Sequence, residues 1–139
     1  MWLRAKEGDE TVASEQSAEQ ILGSAKAGYS AYSWGDPKAA ADNLADDVEW
    51  VIPGDSAVSG TYHGKKEFAA FLAKMREAGY SQEAELFLGD EETVMVLLHT
   101  TLAGESSDQV DILTYRDGKV VKGQSVLDTL LSRRIWGTK

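Results

Sequence analysis

The chain has 139 residues, with 14 Lys and Arg against 23 Asp and Glu, a formal charge of -9. That length suits one domain able to bury a core without covalent staples, and the shortage of basic residues argues against a nucleic-acid backbone or an anionic membrane as partner. The sequence has no cysteine, which excludes disulfides, thiol nucleophiles and cysteine-held metal sites. No run approaches the ~18 apolar residues of a membrane span, and Met1-Trp2-Leu3-Arg4-Ala5-Lys6 opens no apolar core for a signal peptide, so the expectation is a soluble, cytoplasmic protein.

Residues 1–13 are polar and unpatterned apart from Trp2 and Leu3, and read as a flexible arm ahead of a single domain over 14–139. Ile21, Ala25, Gly28 and Tyr32 recur at helical spacing and predict a helix over 14–34, with Ser17 and Gln20 as a capping box. Asp36 can cap and Pro37 can open a second, alanine-rich helix reaching about residue 45. Val48-Glu49-Trp50-Val51-Ile52, between Asp46-Asp47 and Pro53-Gly54, predicts a strand. A turn-rich segment then leads to a short strand near Thr61-Tyr62. Phe68, Phe71, Leu72 and Met75 form the apolar stripe of a third helix over about 65–78, stopped by Gly79. The last third changes period. Segments 83–88, 93–102, 109–116 and 119–128 alternate or run apolar, and Asp117-Gly118 is a tight-turn signal between the last two. Helices early and a strand meander late give an α+β fold, with helices packed on one face of a curved antiparallel sheet.

Two acids stand out in this meander. Asp111 shares a face with Leu113 and Tyr115, while Val110 and Ile112 point the other way, so it is desolvated whichever face is inside, and desolvation raises its pKa. The alternative is a strand-edge residue bonded to a neighbouring backbone N–H. Asp128 follows the last strand and either joins Asp111 or caps the turn Thr129-Leu130-Leu131. Plain hairpin pairing leaves the two acids about four residues, or ~13 Å, apart, so cooperation requires a bulge or a strong bend. Two neighbouring acids with one charged and one neutral is the arrangement acid/base chemistry needs.

Trp50 and Ile52 read as pocket wall or core, and Tyr29, Tyr32 and Tyr115 likewise, with hydroxyls that need partners. His99 shares a face with Met95, Leu97 and Thr101 and is a candidate for the same cavity, whereas His63 lies in a solvated turn. Two histidines so far apart make no His-Glu-x-x-His motif, Ser59-Gly60 lacks the nucleophile-elbow pattern, and no glycine-rich phosphate loop occurs. Asp46-Asp47 and Asp90-Glu91-Glu92 lack the alternating oxygen ligands of a calcium loop. Neither a metal nor a cofactor is expected.

One ordered series runs through the chain. It comprises Tyr32 with Gly35-Asp36, Leu44-Ala45-Asp46-Asp47-Val48-Glu49-Trp50, Pro53-Gly54, Gly60-Thr61-Tyr62-His63-Gly64, Phe68 and Asp117-Gly118-Lys119-Val120. It resembles the SnoaL-like branch of the nuclear transport factor 2 superfamily over about residues 17–137. The resemblance implies a cone-shaped α+β barrel, in which a curved antiparallel sheet wraps around three helices from the N-terminal half and leaves an apolar pocket at one end. It also implies a homodimer through the outer sheet face. The superfamily includes ketosteroid isomerases, limonene-epoxide hydrolases, SnoaL-type polyketide cyclases and non-catalytic binding modules, so fold leaves function open.

Carried over residue by residue, the isomerase pattern places its general base at Ile52, which cannot take a proton, and its oxyanion-hole tyrosine near Gly28, beside Tyr29. Its lower pocket aspartate matches Asp111. The epoxide-hydrolase pattern Arg-x-Asp falls on Gln109-Val110-Asp111, with its second aspartate on Asp128, and its water-holding tyrosine and asparagine fall near Glu49 and Val51. The cyclase acid matches Asp128. The resemblance therefore implies a cofactor-free enzyme acting on an apolar small molecule, epoxide-hydrolase-like or cyclase/isomerase-like. Asp111 and Asp128 would be catalytic, and Gln109, Trp50, Tyr29, Tyr32, His99, Tyr115, Ile52 and Leu113 would line the pocket. The alternative is a non-catalytic ligand-binding or dimerisation module of the same fold.

Overall fold

The computed structural model describes residues 16–33 and 35–139. The arm expected over 1–13 lies outside the described residues. Helix α1 (Ala18–Ser33) starts at the anticipated capping box: the Gln20 N–H donates to Ser17 Oγ at 3.1 Å and the Ser17 N–H to Gln20 Oε1 at 3.0 Å. It buries Ile21, Ala25 and Tyr32. Helix α2 (Pro37–Ala41) is capped by Asp36, whose carboxylate accepts from the Ala39 N–H at 3.1 Å. It ends sooner than its alanines suggest, because the chain enters strand β1 (Leu44–Ile52) at once. Strand β2 (Gly60–His63) returns antiparallel to β1, and helix α3 (Gly64–Glu77) buries the stripe Phe68, Phe71 and Met75.

Strands β3 (Ser81–Gly89), β4 (Thr93–Leu102), β5 (Glu105–Arg116) and β6 (Lys119–Val126) form the meander. The final element is helix α4 (Thr129–Trp136), which takes the place of the turn expected after residue 128, and the last strand stops at Val126. The six strands lie in the order β2-β1-β6-β5-β4-β3 as one curved sheet that does not close, with β2 and β3 at its edges. Every pairing is antiparallel except β1 with β6, which is parallel. That exception corrects the wholly antiparallel expectation. It follows from connectivity, since the chain leaves β1 through β2 and α3 and comes back along the meander to lie beside β1 in the same direction. Among the described residues no helix is long and apolar enough to cross a membrane.

The concave face of this sheet carries the core. On β4, Val94, Val96 and Leu98 are fully buried, and on β5 the alternation turns Gln109, Asp111, Leu113 and Tyr115 inward. Strand β6 changes phase at a bulge. Tyr115 pairs with Val120 but Thr114 pairs with Lys122, leaving Val121 as the extra residue. Past the bulge, Gly123 and Ser125 face the interior and Gln124 and Val126 face out. Trp50 lies flat over Gly123 and stacks on Phe68 with ring centroids 4.3 Å apart. A Cβ on Gly123 would come within 2.1 Å of the indole, so this close approach requires glycine.

Candidate functional site

Between the concave face of the sheet and helices α1, α2 and α3 lies a cavity of about 810 Å3, its open mouth included. Its lining is mostly aliphatic and aromatic, and among the described residues it holds a single carboxylic acid and no Lys, Arg or His. Such a chamber, apolar with a few convergent polar groups, has the general character of a small-molecule site.

Asp111 is the acid. It is 3% exposed, and its two oxygens take three side-chain donors from three directions. The Tyr29 hydroxyl, from α1, donates to Oδ2 at 2.6 Å. Gln109 Nε2, two residues away on the same face of β5, donates to Oδ1 at 2.9 Å. The Ser125 hydroxyl donates to Oδ1 at 2.8 Å. Ser125 is the direct cross-strand partner of Asp111, and it faces inward only because of the Val121 bulge. Trp50 Nε1–H completes the relay, donating to Ser125 Oγ at 3.0 Å. Burial pushes Asp111 above the ordinary carboxylate range, against the opposing pull of Tyr29, Gln109 and Ser125. Oδ2 retains capacity for one more bond. Tyr29 itself is pushed well upward, first by burial and then by the adjacent carboxylate, so its hydroxyl stays a donor. Nearby, the Tyr80 hydroxyl donates to Gln82 Oε1 at 2.9 Å and lies 3.5 Å from Gln109 Oε1. Burial also raises the Tyr80 pKa.

Of the residues singled out in the sequence, Tyr29, Tyr32, Trp50, Ile52, Gln109, Asp111, Leu113 and Tyr115 all line this cavity. Two do not. Asp128 is exposed and caps α4, its Oδ1 accepting from the Leu131 N–H at 2.9 Å. The physical reason is the bulge at Val121. Without it, Asp128 would share the inward phase of Asp111; with it, Leu127 takes the inward position and lines the cavity. The expectation of a cooperating acid pair is therefore corrected to a single buried acid. His99 stands on the outer face of β4 with its side chain about half exposed. There it bridges Asp108, at 2.6 Å from Nδ1, and Glu85 on the Nε2 side. The two carboxylates raise its pKa, the Asp108 hydrogen bond foremost.

Sequence reasoning passed over Ser125, Tyr80 and Gln82. Ser125 had no signal of its own, because the phase shift that turns it inward is not written in an alternating pattern. Tyr80 was findable as an aromatic directly after the helix-stopping Gly79. Among the described residues, no group of three His, Asp or Glu side chains converges as metal ligands.

This combination of an open, curved sheet and three helices across its concave face defines a fold of the nuclear transport factor 2 type. The SnoaL-like domain family matches residues 25–123, and the chain belongs to it. The chain is similar in structure to an NTF2-like protein from Burkholderia xenovorans LB400, with 26% identity over 87% of this chain and 98% of that one and a TM-score of 0.72. It is similar to a protein of unknown function with a cystatin-like fold from Xanthomonas campestris, with 25% identity, 84% and 98% coverage and a TM-score of 0.77. TerC, crystallised with polyporic acid, shares the fold at 22% identity, 86% and 99% coverage and a TM-score of 0.73. No curated protein matches this sequence.

Proposed function

We propose that the protein is a cofactor-independent enzyme of apolar small molecules in which Asp111 alone takes and returns a proton, in the manner of an isomerase or cyclase. The observation that carries this reading is one buried carboxyl, with its proton affinity raised and no cation beside it among the described residues, on the wall of an apolar cavity. In such a step the carboxylate accepts a proton from a carbon next to a carbonyl, the C–H electron pair moves into an enolate, and the proton returns at another carbon. A base tuned upward toward the working pH is better suited to this than an ordinary aspartate. Epoxide hydration by two acids is disfavoured, because Asp128 caps a helix outside the chamber and Gln109 stands where an arginine would balance the charge.

A second reading rests on the same acid. Three protein donors already hold Asp111, as they would in a structural knot inside a binding module. Turnover by the Asp111→Asn variant, confirmed as folded and screened on enolisable ketones, separates the two. A loss of about 100-fold or more supports catalysis. Turnover unchanged from the parent removes Asp111 from the chemistry. The binding module is supported instead if native mass spectrometry recovers an apolar metabolite that the protein leaves intact. That TerC was crystallised with polyporic acid makes an organic ligand in this fold concrete, without naming the one used here.

The proposal includes a homodimer through the outer sheet face. The cross-strand rows Leu88–Met95–Ile112 and Leu86–Leu97–Val110–Val126 lay apolar side chains over four strands on that side. Leu86, Leu88, Met95 and Val126 are exposed in the single chain.

A further inference from the structure

We propose that Ser125 and Trp50 are positioning residues for Asp111: they keep its Oδ1 a fixed acceptor, so that the proton the acid takes up sits on Oδ2. The inference rests on the reading that Asp111 moves a proton, and it adds which oxygen carries that proton and what makes it so. An indole N–H donates and never accepts. Trp50 Nε1 donates to Ser125 Oγ at 3.0 Å, and so occupies a lone pair of that oxygen and not its hydrogen. The one hydroxyl hydrogen of Ser125 is left to point at Asp111 Oδ1, 2.8 Å away. Hydrogen-bond polarity therefore runs one way, from Trp50 through Ser125 to the acid. Gln109 Nε2 gives Oδ1 a second donor at 2.9 Å, which fills both of its lone pairs. Among the described residues, Oδ2 receives the Tyr29 hydroxyl alone, at 2.6 Å, and keeps a lone pair for a proton.

Both residues are held in place by their surroundings. Ser125 is 2% exposed and Trp50 6%, so neither polar group can turn to water if the other is removed. The Trp50 ring stacks on Phe68 and lies over Gly123, two residues before Ser125 on the same face of β6. Ser125 meets Asp111 across the β5–β6 pairing because of the bulge at Val121. A hydroxyl that accepts from one partner is polarised into a stronger donor to the next. The titratable groups around Asp111 are phenols: Tyr29 from α1, Tyr80 from the turn after α3, and Tyr115 further along β5. Burial raises the pKa of each, so all three stay neutral while the acid titrates. Among the described residues no Lys, Arg or His lines the cavity. Hydrogen bonds, and not a neighbouring cation, thus decide which oxygen holds the proton.

The test follows the Asp111 carboxyl carbon by carbon-13 NMR titration of the full chain, from about pH 3 to about pH 9, with no substrate present. Ser125→Ala deletes a donor to the carboxylate and should make Asp111 about a tenfold weaker acid. Ser125→Thr keeps the hydroxyl and should restore parental acidity. Trp50→Phe removes the indole N–H and should weaken the acid by a smaller factor, about twofold. In the Ser125→Ala background Trp50→Phe should have no further effect, because the indole acts through the serine. Replacing Trp50 by β-(3-benzothienyl)alanine, which keeps the bicyclic shape and lacks the N–H, makes the same comparison if the Phe variant folds poorly. A merely structural pair would lower Tm in these variants without moving the acidity. An Asp111 of unchanged or greater acid strength in Ser125→Ala overturns the proposal, since a proton on Oδ1 would use the serine as its acceptor. Unchanged acidity with either Trp50 replacement, or an equal effect in both backgrounds, overturns the relay. The expected pattern, in a protein whose Asp111→Asn variant keeps its turnover, supports the proposal and defeats only the enzymatic reading.

Discussion

Asp111 is a charged residue type in surroundings that disfavour charge, and its pH behaviour follows. Its folded pKa is raised by burial, so its contribution to stability is full below the ordinary carboxylate range and is lost as pH rises through the folded value. Asparagine has no such loss. The stability of Asp111→Asn relative to the parent should therefore grow between about pH 4 and the raised folded pKa and level off above it, as read by urea denaturation across pH 3–8. Asp128 gives the contrasting case. Asp128→Ala should cost about 1 kcal/mol through loss of the α4 cap while leaving ligand affinity and turnover at parental values. A selective loss of turnover would return Asp128 to the chemistry. Period-two alternation made the Gln109–Asp111–Leu113–Tyr115 face legible in the sequence. The same logic could not place His99, because β4 carries apolar residues on both faces, Val94, Val96 and Leu98 on one and Met95 and Leu97 on the other. Which of the two was inside depended on the partner layer, which alternation does not encode.

At the scale of elements, two local irregularities build the site: the extra residue Val121 and the close approach at Gly123. Gly123→Ala should destabilise the protein by about 1–3 kcal/mol, because its methyl group would displace the Trp50 ring from the Phe68 stack. Urea melts measure the loss. The same variant should alter the chamber, since Trp50 forms part of its wall. Neither irregularity was legible beforehand. Glycine in a strand hints at a close approach but does not identify the neighbour, and a bulge is set by pairing with the adjacent strand. Helix α4 was more accessible: Asp128 caps it, Leu131 and Ile135 repeat at helical spacing, and Gly137 ends it. It was overlooked because eight residues after a strand look like the strand's own frayed end.

For the molecule as a whole, the order of helices and strands was readable because each period was sustained over several residues. The parallel contact between β1 and β6 was not, since it joins segments about 70 residues apart in the sequence. The chamber is walled by both halves of the chain, from Ala25 to Leu127, so a bound molecule ties distant segments together. A ligand at 100 times its Kd should therefore stabilise the fold by about 2.7 kcal/mol, visible as a concentration-dependent rise in Tm. On the opposite side, Met95→Glu should shift the proposed dimer to monomer in sedimentation velocity without disturbing ligand binding, because its side chain points away from the chamber. A parent that sediments as a monomer at all concentrations would refute the dimer.

The indole of Trp50 is wired through one serine hydroxyl to the buried acid. Whatever protonates that acid, or displaces its neighbours, must also change the electric field across the ring. The protein thus carries a native fluorophore two hydrogen bonds from its buried carboxyl, and the colour of its emission should follow occupancy without any added label.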